Sequence, residues 1–596
     1  MKAKNLLILA ALVIFANVSA EPAIYYVVPG NETTGKDGKS WENAITIWDI
    51  YEHEKAHAKK DENAIWKNGD VFFFAGGTYY PTLTAGGIAG RIYRGFKFVG
   101  GCDPADGEIT DPDYRPDYRP STNPTIFSGD LNDNGVADPE DAQNLIFMRR
   151  GSNLNLDATD QYDLSKATGK NGELAPLRIY GFEFKCTYNG NSFPASESAD
   201  SHSGWGAVCS VQAWIELYNC SIHDTYAEKA SGLNIYGSMY RVTDCQFYNN
   251  VAVQTGSALR INVNAASRYT RGVVERCSFY NNTLSDRFGG AIALTAGEMY
   301  LVNSTISGNT AYYEGAGIVS NGSSTADRRL HIINCTIAGN NCTANPSELY
   351  TTDPLTGTVT NPGSWVGSEI RLANDPSCEI WNSIIVGKED DGSIAKAPFV
   401  VKDSLRGAED KSFKLSFNII GSMYSLLDGQ LPAFDLDNYN YQNAENTWAS
   451  VFGNAELSDN GGSTMTVVPN KLYFDELSTD GKYWPAYVND ANTYAAEIAY
   501  HKLFSVSGFA VPDLSVDQRN IKRNIDLEDD YAPGAYDFLS TFTGIKTVST
   551  SNIQHPTAIY NLAGQRVDKN YRGMVIVIKN NKKFLINQTG NQILGY

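Results

Sequence analysis

Along the middle of the chain, short apolar runs alternate with polar turns, and two patterns return again and again. The first reads Asn219-Cys220-Ser221-Ile222, Asp244-Cys245-Gln246-Phe247, Arg276-Cys277-Ser278-Phe279, Asn303-Ser304-Thr305-Ile306 and Asn334-Cys335-Thr336-Ile337, with a further copy at Asn382-Ser383-Ile384-Ile385. The second positions of the first five copies lie 25, 32, 27 and 31 residues apart. Several copies continue into a polar turn, such as Tyr248-Asn249-Asn250, Tyr280-Asn281-Asn282 and Ala338-Gly339-Asn340. The second pattern reads Ser231-Gly232-Leu233, Gly256-Ser257-Ala258-Leu259, Gly289-Gly290-Ala291-Ile292, Gly315-Ala316-Gly317-Ile318 and Gly367-Ser368-Glu369-Ile370, each copy between two copies of the first. Each period thus carries at least two short strands separated by turn residues, with no amphipathic helix between them.

A coil of short parallel strands satisfies this pattern. Alternate residues of a strand face inward, and stacked rungs place equivalent residues about 4.8 Å apart. Cys220, Cys245, Cys277, Ser304 and Cys335 then form one inward column of small side chains, in which Cys behaves as a small hydrophobe. Ile222, Phe247, Phe279, Ile306 and Ile337 form an apolar column beside it. The Asn-rich turns tolerate the left-handed backbone region, and the glycines permit tight bends. A β-sandwich shares some of these strand signals, but similar residues recurring at such spacings point to a solenoid.

Composition narrows the setting. The chain opens Met1-Lys2-Ala3-Lys4, runs apolar from Leu6 to Ala16, and has Val18 and Ala20 before Glu21. That is the layout of a secretory signal peptide cut after Ala20, the alternative being an N-terminal anchor helix. No later run is long and apolar enough to span a bilayer, so no transmembrane segment is expected in the mature chain. A formal charge of -19 disfavours nucleic acid as a partner. Export permits disulfides. The nine cysteines match neither a small disulfide framework nor a CxxC zinc pair, and Ser304 in the column shows that the position requires only a small side chain.

The segments "FGGAIALTAGEMYLVNSTISGNTAYYEGAGI" and "HIINCTIAGNN" resemble repeats of polymorphic outer-membrane-protein-like and other right-handed β-helix surface proteins. The opening "YYVVPGNETTGKDGKSWENAITIWD" with "IWKNGDVFFFAGGTYYPT" looks like the start of the same proteins, where a short helix and strands ending at Ala75, Gly77, Thr78 and Tyr79 begin and cap the solenoid. A third stretch, "LSDNGGSTMTVVP" (457–469) with "VDQRNIKRNIDLEDDYAPGAYDF" (516–538), is similar to the ending of β-helix proteins described as choice-of-anchor. Here Asn520 replaces the glycine after Asp517-Gln518-Arg519, and a Pro-Gly pair precedes Ala535. The last segment, "AIYNLAGQRVDKNYRGMVIVIKNNKKFLINQ" (558–588), resembles the C-terminal sorting domain of the type IX secretion system and reads as a small antiparallel β-sandwich. These resemblances imply an all-β chain: a right-handed parallel β-helix of the pectin lyase-like kind, followed by that sandwich. The expected division is a signal peptide at 1–20, the β-helix with its cap and insertions at 21–540, a Thr/Ser-rich linker at 541–551, and the sorting-like sandwich at 552–596. They also imply a secreted or outer-membrane surface-attached protein, handled by secretion and sorting machinery.

The chemistry-bearing candidates are few. From Asp130 to Asp141 the chain reads Asp130-Leu131-Asn132-Asp133-Asn134-Gly135-Val136-Ala137-Asp138-Pro139-Glu140-Asp141. Side-chain oxygens of Asp130, Asn132, Asn134, Asp138 and Asp141, with the Val136 carbonyl and a Gly135 turn, follow an EF-hand-like Ca²⁺ loop with Asp in place of the final Glu. A solvated Asp/Asn turn is the alternative, because the segment before Asp130 reads as a strand and not as a helix. The tandem "DPDYRPDYRP" (111–120) offers Tyr114, Arg115, Tyr118 and Arg119 for sugar stacking, or simply an extended Pro-punctuated loop. His223 and His331 read as structural, and the acids of the repeats are scattered, so no catalytic set emerges. Three functions fit: a non-enzymatic, adhesin-like monomer binding a polysaccharide or another host or cell-surface ligand; a polysaccharide lyase or glycoside hydrolase with a groove along the coil; or a structural surface component. An aromatic-lined face would favour binding, and acids grouped with Lys or Arg in one groove would favour the enzyme. The stretch 386–455, with its single clear rung Phe417-Asn418-Ile419-Ile420-Gly421, is expected to hold insertions.

Overall fold

The computed structural model describes residues 21–595 except 60–65, 119–121, 150–174, 191–205, 263–269, 287–288, 322–327, 344–350, 353–358, 361–366, 374–376, 393–395, 402–412, 426–428, 431–438, 460–463, 482–485, 500–508, 524–529, 538–557, 562–572, 580–581 and 590–591. The expected signal peptide at 1–20 and the expected linker at 541–551 lie outside the described residues. One compact unit runs to Arg523 and takes in Asp529–Phe538; a second comprises Asn524–Glu528 and Leu539–Tyr596.

The first unit is mostly β, and its long sheets are almost wholly parallel. Three sheets have eleven strands each and a fourth has six. One rung shows the path: Trp214–Tyr218 in sheet A, Ser221–His223 in sheet B, Tyr226–Lys229 in sheet D, Leu233–Tyr236 in sheet C, then Met239–Thr243 back in sheet A. Each strand pairs in parallel with its counterpart one rung later, as in Ser221↔Gln246↔Ser278↔Thr305↔Thr336. The arrangement is compatible with a parallel β-helix. The first sequence pattern leads into sheet B and the second into sheet C. Sheets A and D are the ones the two patterns do not mark.

Both expected columns are present. Ile222, Phe247, Phe279, Ile306 and Ile337 share one register and are fully buried. The residue before each small column side chain makes the bend from sheet A to sheet B with positive φ: Asn219, Asp244, Arg276, Asn303, Asn334, Asn382 and Phe417; Tyr439, also with positive φ, likewise precedes a sheet B strand. The column residue then turns inward and accepts a backbone N–H from the preceding rung. Ser304 Oγ accepts from Cys277 N at 3.0 Å, Ser383 Oγ from Cys335 N at 3.1 Å, and Asn418 Oδ1 from Ser383 N at 2.8 Å. The position therefore selects a small acceptor, and Cys, Ser and Asn all qualify. All nine cysteines are free thiols. Burial pushes the Cys335 thiol up to about 12, so it stays protonated at neutral pH.

The bend from sheet B to sheet D repeats the device with asparagine. Asn250, Asn282, Asn309 and Asn340 are buried, and each of the first three donates Nδ2 to the next Oδ1 at 2.9 Å. Each also donates to a backbone carbonyl, Asn309 to Phe279 O at 2.9 Å. The ladder ends on Glu369, whose carboxyl burial pushes up to about 8. Close stacking explains one glycine: a Cβ on Gly290 would lie 2.0 Å from the Ala316 carbonyl oxygen.

The described residues also include four α-helices, the first of them in the N-terminal segment where the resemblance implied a short helix. Helix α1 (Ile47–Ala58) buries Ile47, Ile50 and Tyr51 at the end of the core formed by the first strands. Helices α2 (Trp448–Phe452) and α3 (Lys471–Thr479) pack on the far rungs through Phe452, Phe474 and Leu477, beside Ile384 and Ile419. Helix α4 (Val488–Ala499) contributes Ile498 to a cluster on the outer face of sheet A with Trp214, Tyr300 and Trp381. Helices appear where a stack of strands ends or an apolar outer face must be covered, tasks that no further rung performs. In the second unit Ala558–Asn561, Gly573–Lys579, Lys582–Thr589 and Gln592–Gly595 form one four-stranded antiparallel sheet.

Candidate functional site

The outer face of sheet A collects more charge and more aromatic rings than its strand pattern suggests. Alternation along Ser377–Trp381 turns Cys378 and Ile380 into the core and Glu379 and Trp381 outward. The next strand, Phe413–Ser416, places Lys414 beside Glu379 and Ser416 beside Trp381. Opposite them, α4 presents Asp490, Thr493, Tyr494 and Glu497, spaced i, i+3, i+4 and i+7 on one helix face. These residues and Phe417 line a cleft of about 300 Å³, at the small end of the roughly 300–1,000 Å³ typical of ligand pockets.

One wall of the cleft is aromatic. Tyr494 stacks on Trp381 with ring centroids 5.3 Å apart, Phe417 meets Trp381 edge-on at 6.2 Å, and Tyr439 stacks on Phe417 at 5.1 Å. The row ends in Tyr439, which is 44 % exposed. The other wall is charged. Glu379 lies 3.8 Å from Lys414 Nζ and 3.2 Å from His331 Nδ1, while His331 Nε2 lies 3.1 Å from Glu298. Burial opposes charge on His331, but the Glu298 and Glu379 carboxylates outweigh it and raise the imidazole above its ordinary value. Tyr300 stacks on the ring at 4.1 Å. With both nitrogens and one face engaged, His331 is a strut beneath Glu379, which accords with its structural reading. His223 is held alike, Nδ1 2.6 Å from Asp224, Nε2 3.3 Å from Glu183, and its ring stacked on Tyr248 at 4.4 Å.

The 130–141 loop lies elsewhere, leaving sheet B after Thr125–Ser128. The Asp130 carboxylate accepts from Asn134 N at 3.0 Å and Gly135 N at 2.8 Å, and Asp141 accepts from Leu131 N at 3.1 Å and Asp138 N at 2.9 Å. Asn132 and Asn134 donate their side-chain amides to Asp138. Val136 is exposed. Among the described residues no three His, Cys, Asp or Glu side chains converge as metal ligands; an EF-type set also draws on Asn and backbone oxygens. The geometry brings Asp130, Asp138 and Asp141 into one hydrogen-bonded loop.

The tandem 111–120 is an extended covering loop as far as it is described. Arg115 lies over Tyr180 at 4.0 Å, Tyr114 meets Phe73 at 6.1 Å, and Lys97 pairs with Asp113 at 2.8 Å. The third resembling stretch acts as a clasp. Gln518 Nε2 donates to Cys277 O at 3.1 Å and Met465 O at 3.0 Å, and Arg523 donates to Asn303 Oδ1 at 3.0 Å and Ala532 O at 3.0 Å. These motif side chains tie the returning chain to sheet B and to the bends before it.

Of the cleft residues only Phe417 had been singled out, as the start of a rung; Glu379, Trp381, Lys414, Asp490, Tyr494 and Glu497 were not. The usable signal was the strand alternation of 377–381 together with the i, i+3, i+4, i+7 face of α4. No model of a known protein family matches the chain, and neither does any curated protein. What the fold and the cleft define is a class: a mostly β protein of long stacked parallel sheets, with an aromatic and acidic cleft on one outer face. Among the described residues no helix is long and apolar enough to cross a membrane.

Proposed function

We propose that this is an exported, surface-attached or secreted protein whose body is a right-handed parallel β-helix and which binds a glycan, without turning it over, in the cleft between sheet A and α4. The right hand follows the strong preference of parallel crossover connections. The antiparallel sheet of the second unit is the proposed core of a sorting-like β-sandwich. The observation that carries the binding reading is the row Tyr494, Trp381 and Phe417 lining the cleft beside polar side chains, extended outside it by the exposed Tyr439 stacked on Phe417, since flat rings next to fixed hydrogen-bonding groups suit sugar rings. Calorimetric titration with a panel of oligosaccharides tests it. Saturable binding that falls at least tenfold in Tyr439→Ala is the expected result; no binding to any sugar overturns it.

One observation favours the lyase or hydrolase reading. Glu379 beside Lys414, with Asp490 and Glu497 across the cleft, provides carboxylates of the kind that general acid–base work requires. Incubation with uronic-acid and neutral polysaccharides separates the two readings. New unsaturated or shortened products that vanish in Glu379→Gln would replace binding with catalysis.

A further inference from the structure

We infer that α1 carries a transition-metal site, a two-histidine chelate of His53 and His57 that takes Zn²⁺, Ni²⁺ or Cu²⁺ and is independent of the glycan cleft. Residues 53–57 read His53-Glu54-Lys55-Ala56-His57, an H-E-x-x-H sequence lying inside α1. Residues four apart on a helix are neighbours on one face, with Cβ atoms about 5–6 Å apart, so imidazoles at i and i+4 can both reach one ion at about 2.0–2.1 Å. The helix buries Ile47, Ile50, Tyr51 and Glu54, and His53 and His57 flank that stripe, each partly buried. The His53 ring packs on the buried Trp66, centroids 4.0 Å apart, which orients the imidazole before an ion arrives. Burial, and after it the Arg94 guanidinium, lower His57 from its ordinary value, which favours the neutral, ligating form. In hydrolytic sites of this sequence the glutamate is the general base. Here Glu54 is fully buried, ion-paired with Arg94, and accepts from Tyr93 N and Arg94 N. That pairing offsets the Arg94 charge near His57 and withholds Glu54 from proton transfer, so the ion is bound and not put to hydrolysis. Among the described residues no third His, Cys, Asp or Glu completes a ligand set, which leaves the chelate open to water. Imidazole ligands favour Zn²⁺, Ni²⁺ and Cu²⁺ over Mg²⁺ and Ca²⁺, which prefer oxygen.

The test is calorimetric titration of Ni²⁺ into the full chain, purified without a histidine tag, at pH 7.5. Saturable uptake of one ion per chain is expected, at least tenfold weaker in His53→Gln and in His57→Gln. The thermal midpoint should rise with Ni²⁺ or Zn²⁺ and not with Mg²⁺, by mass action on the folded state. Both histidines are partly exposed, and circular dichroism checks that the two variants fold. Cu²⁺ gives a second readout: bound at His53 it should quench the fluorescence of Trp66, and that quenching should be lost in His53→Gln. Uptake that is unchanged in both variants, or no uptake at all, overturns the inference. Cleavage of a denatured protein by the Zn²⁺-loaded chain, lost in His57→Gln, would overturn the binding-only role and make the site hydrolytic.

Discussion

Two bends in the central rungs depend on a pair of residues, one with positive φ and the next with a small inward side chain that hydrogen-bonds. At Asn309 the second member makes its full set of bonds: Nδ2 donates to Phe279 O and Asn340 Oδ1, and Oδ1 accepts from Asn282 N and Nδ2. Asn309→Ala leaves those buried partners without it, and each orphaned group costs about 1–3 kcal/mol. Loss of roughly 2–4 kcal/mol in denaturant unfolding is expected, and an unchanged midpoint would show that water replaces the ladder. The two histidines set a pH dependence of definite sign. Burial opposes charge on His223, but Asp224 and Glu183 raise its folded value above 6.5, as Glu298 and Glu379 do for His331. A raised folded value means that the stabilisation is complete below the unfolded value of about 6.5 and is lost as pH rises through the folded value. Glu369, pushed by burial from 4.5 to about 8, acts in the same direction. Thermal midpoints should therefore be higher at pH 6 than at pH 9, with His331→Gln flattening the difference; a midpoint that climbs with pH would reverse the assignment. At this scale the sequence was partly legible. The column Cys220, Cys245, Cys277, Ser304 and Cys335 could be aligned by eye, but its hydrogen-bonding role could not, because Cys suggests packing and only Ser304, Ser383 and Asn418 betray the acceptor.

Elements were legible in proportion to how strictly they repeat. Sheets B and C follow the two patterns, and the rung at Phe417-Asn418-Ile419-Ile420 pairs where expected. Sheet A carries Glu216, Arg241, Glu275 and Glu298 at outward positions, where alternation predicts exposure, yet all four are buried. Arg241 and Glu275 are covered by the chain returning after α4, Arg241 lying over Phe509 at 4.9 Å and Glu275 accepting from Asp513 N at 3.2 Å, whereas Glu216 bonds Arg178 and Tyr218 and Glu298 lies against His331 within the sheet. No local pattern announces a cover that arrives more than two hundred residues later, and the cleft was illegible for the same reason, since its two walls come from distant segments. The 130–141 loop was legible as a loop, and its reading as a Ca²⁺ site rests on the spacing of its oxygens. Its acids bond backbone N–H groups of the same loop. If it binds Ca²⁺, as the EF-type spacing proposes, millimolar calcium should raise the thermal midpoint and chelator should return it, by mass action on the folded state. Asp130→Asn should abolish the difference. Equal midpoints with calcium and chelator would leave a solvated turn.

At the scale of the whole molecule, a stack of parallel strands has two ends, and each end exposes both a slice of core and unpaired backbone that invites another copy of the chain. The end formed by the first strands is closed by α1, and one buried ion pair holds that helix in place. Glu54, fully buried, accepts from Tyr93 N at 2.5 Å, Arg94 N at 3.1 Å and Arg94 Nε at 2.6 Å, while Arg94 also donates to the Trp66 carbonyl. Ile47, Ile50 and Tyr51 then seal the core. Removing one partner of such a pair leaves a buried charge uncompensated, at a cost of about 3–5 kcal/mol. Glu54→Ala should therefore lower the thermal midpoint and, if α1 also shields the strand ends, produce concentration-dependent oligomers in light scattering. Glu54→Gln, which keeps an acceptor for Tyr93 N, should fall between the two. A destabilised chain that stays monomeric would assign α1 to stability alone, with the first strands protected by their own twist and side chains. A Glu54→Ala chain with unchanged midpoint and mass would mean that the apolar seal of Ile47, Ile50 and Tyr51 holds the helix without the ion pair.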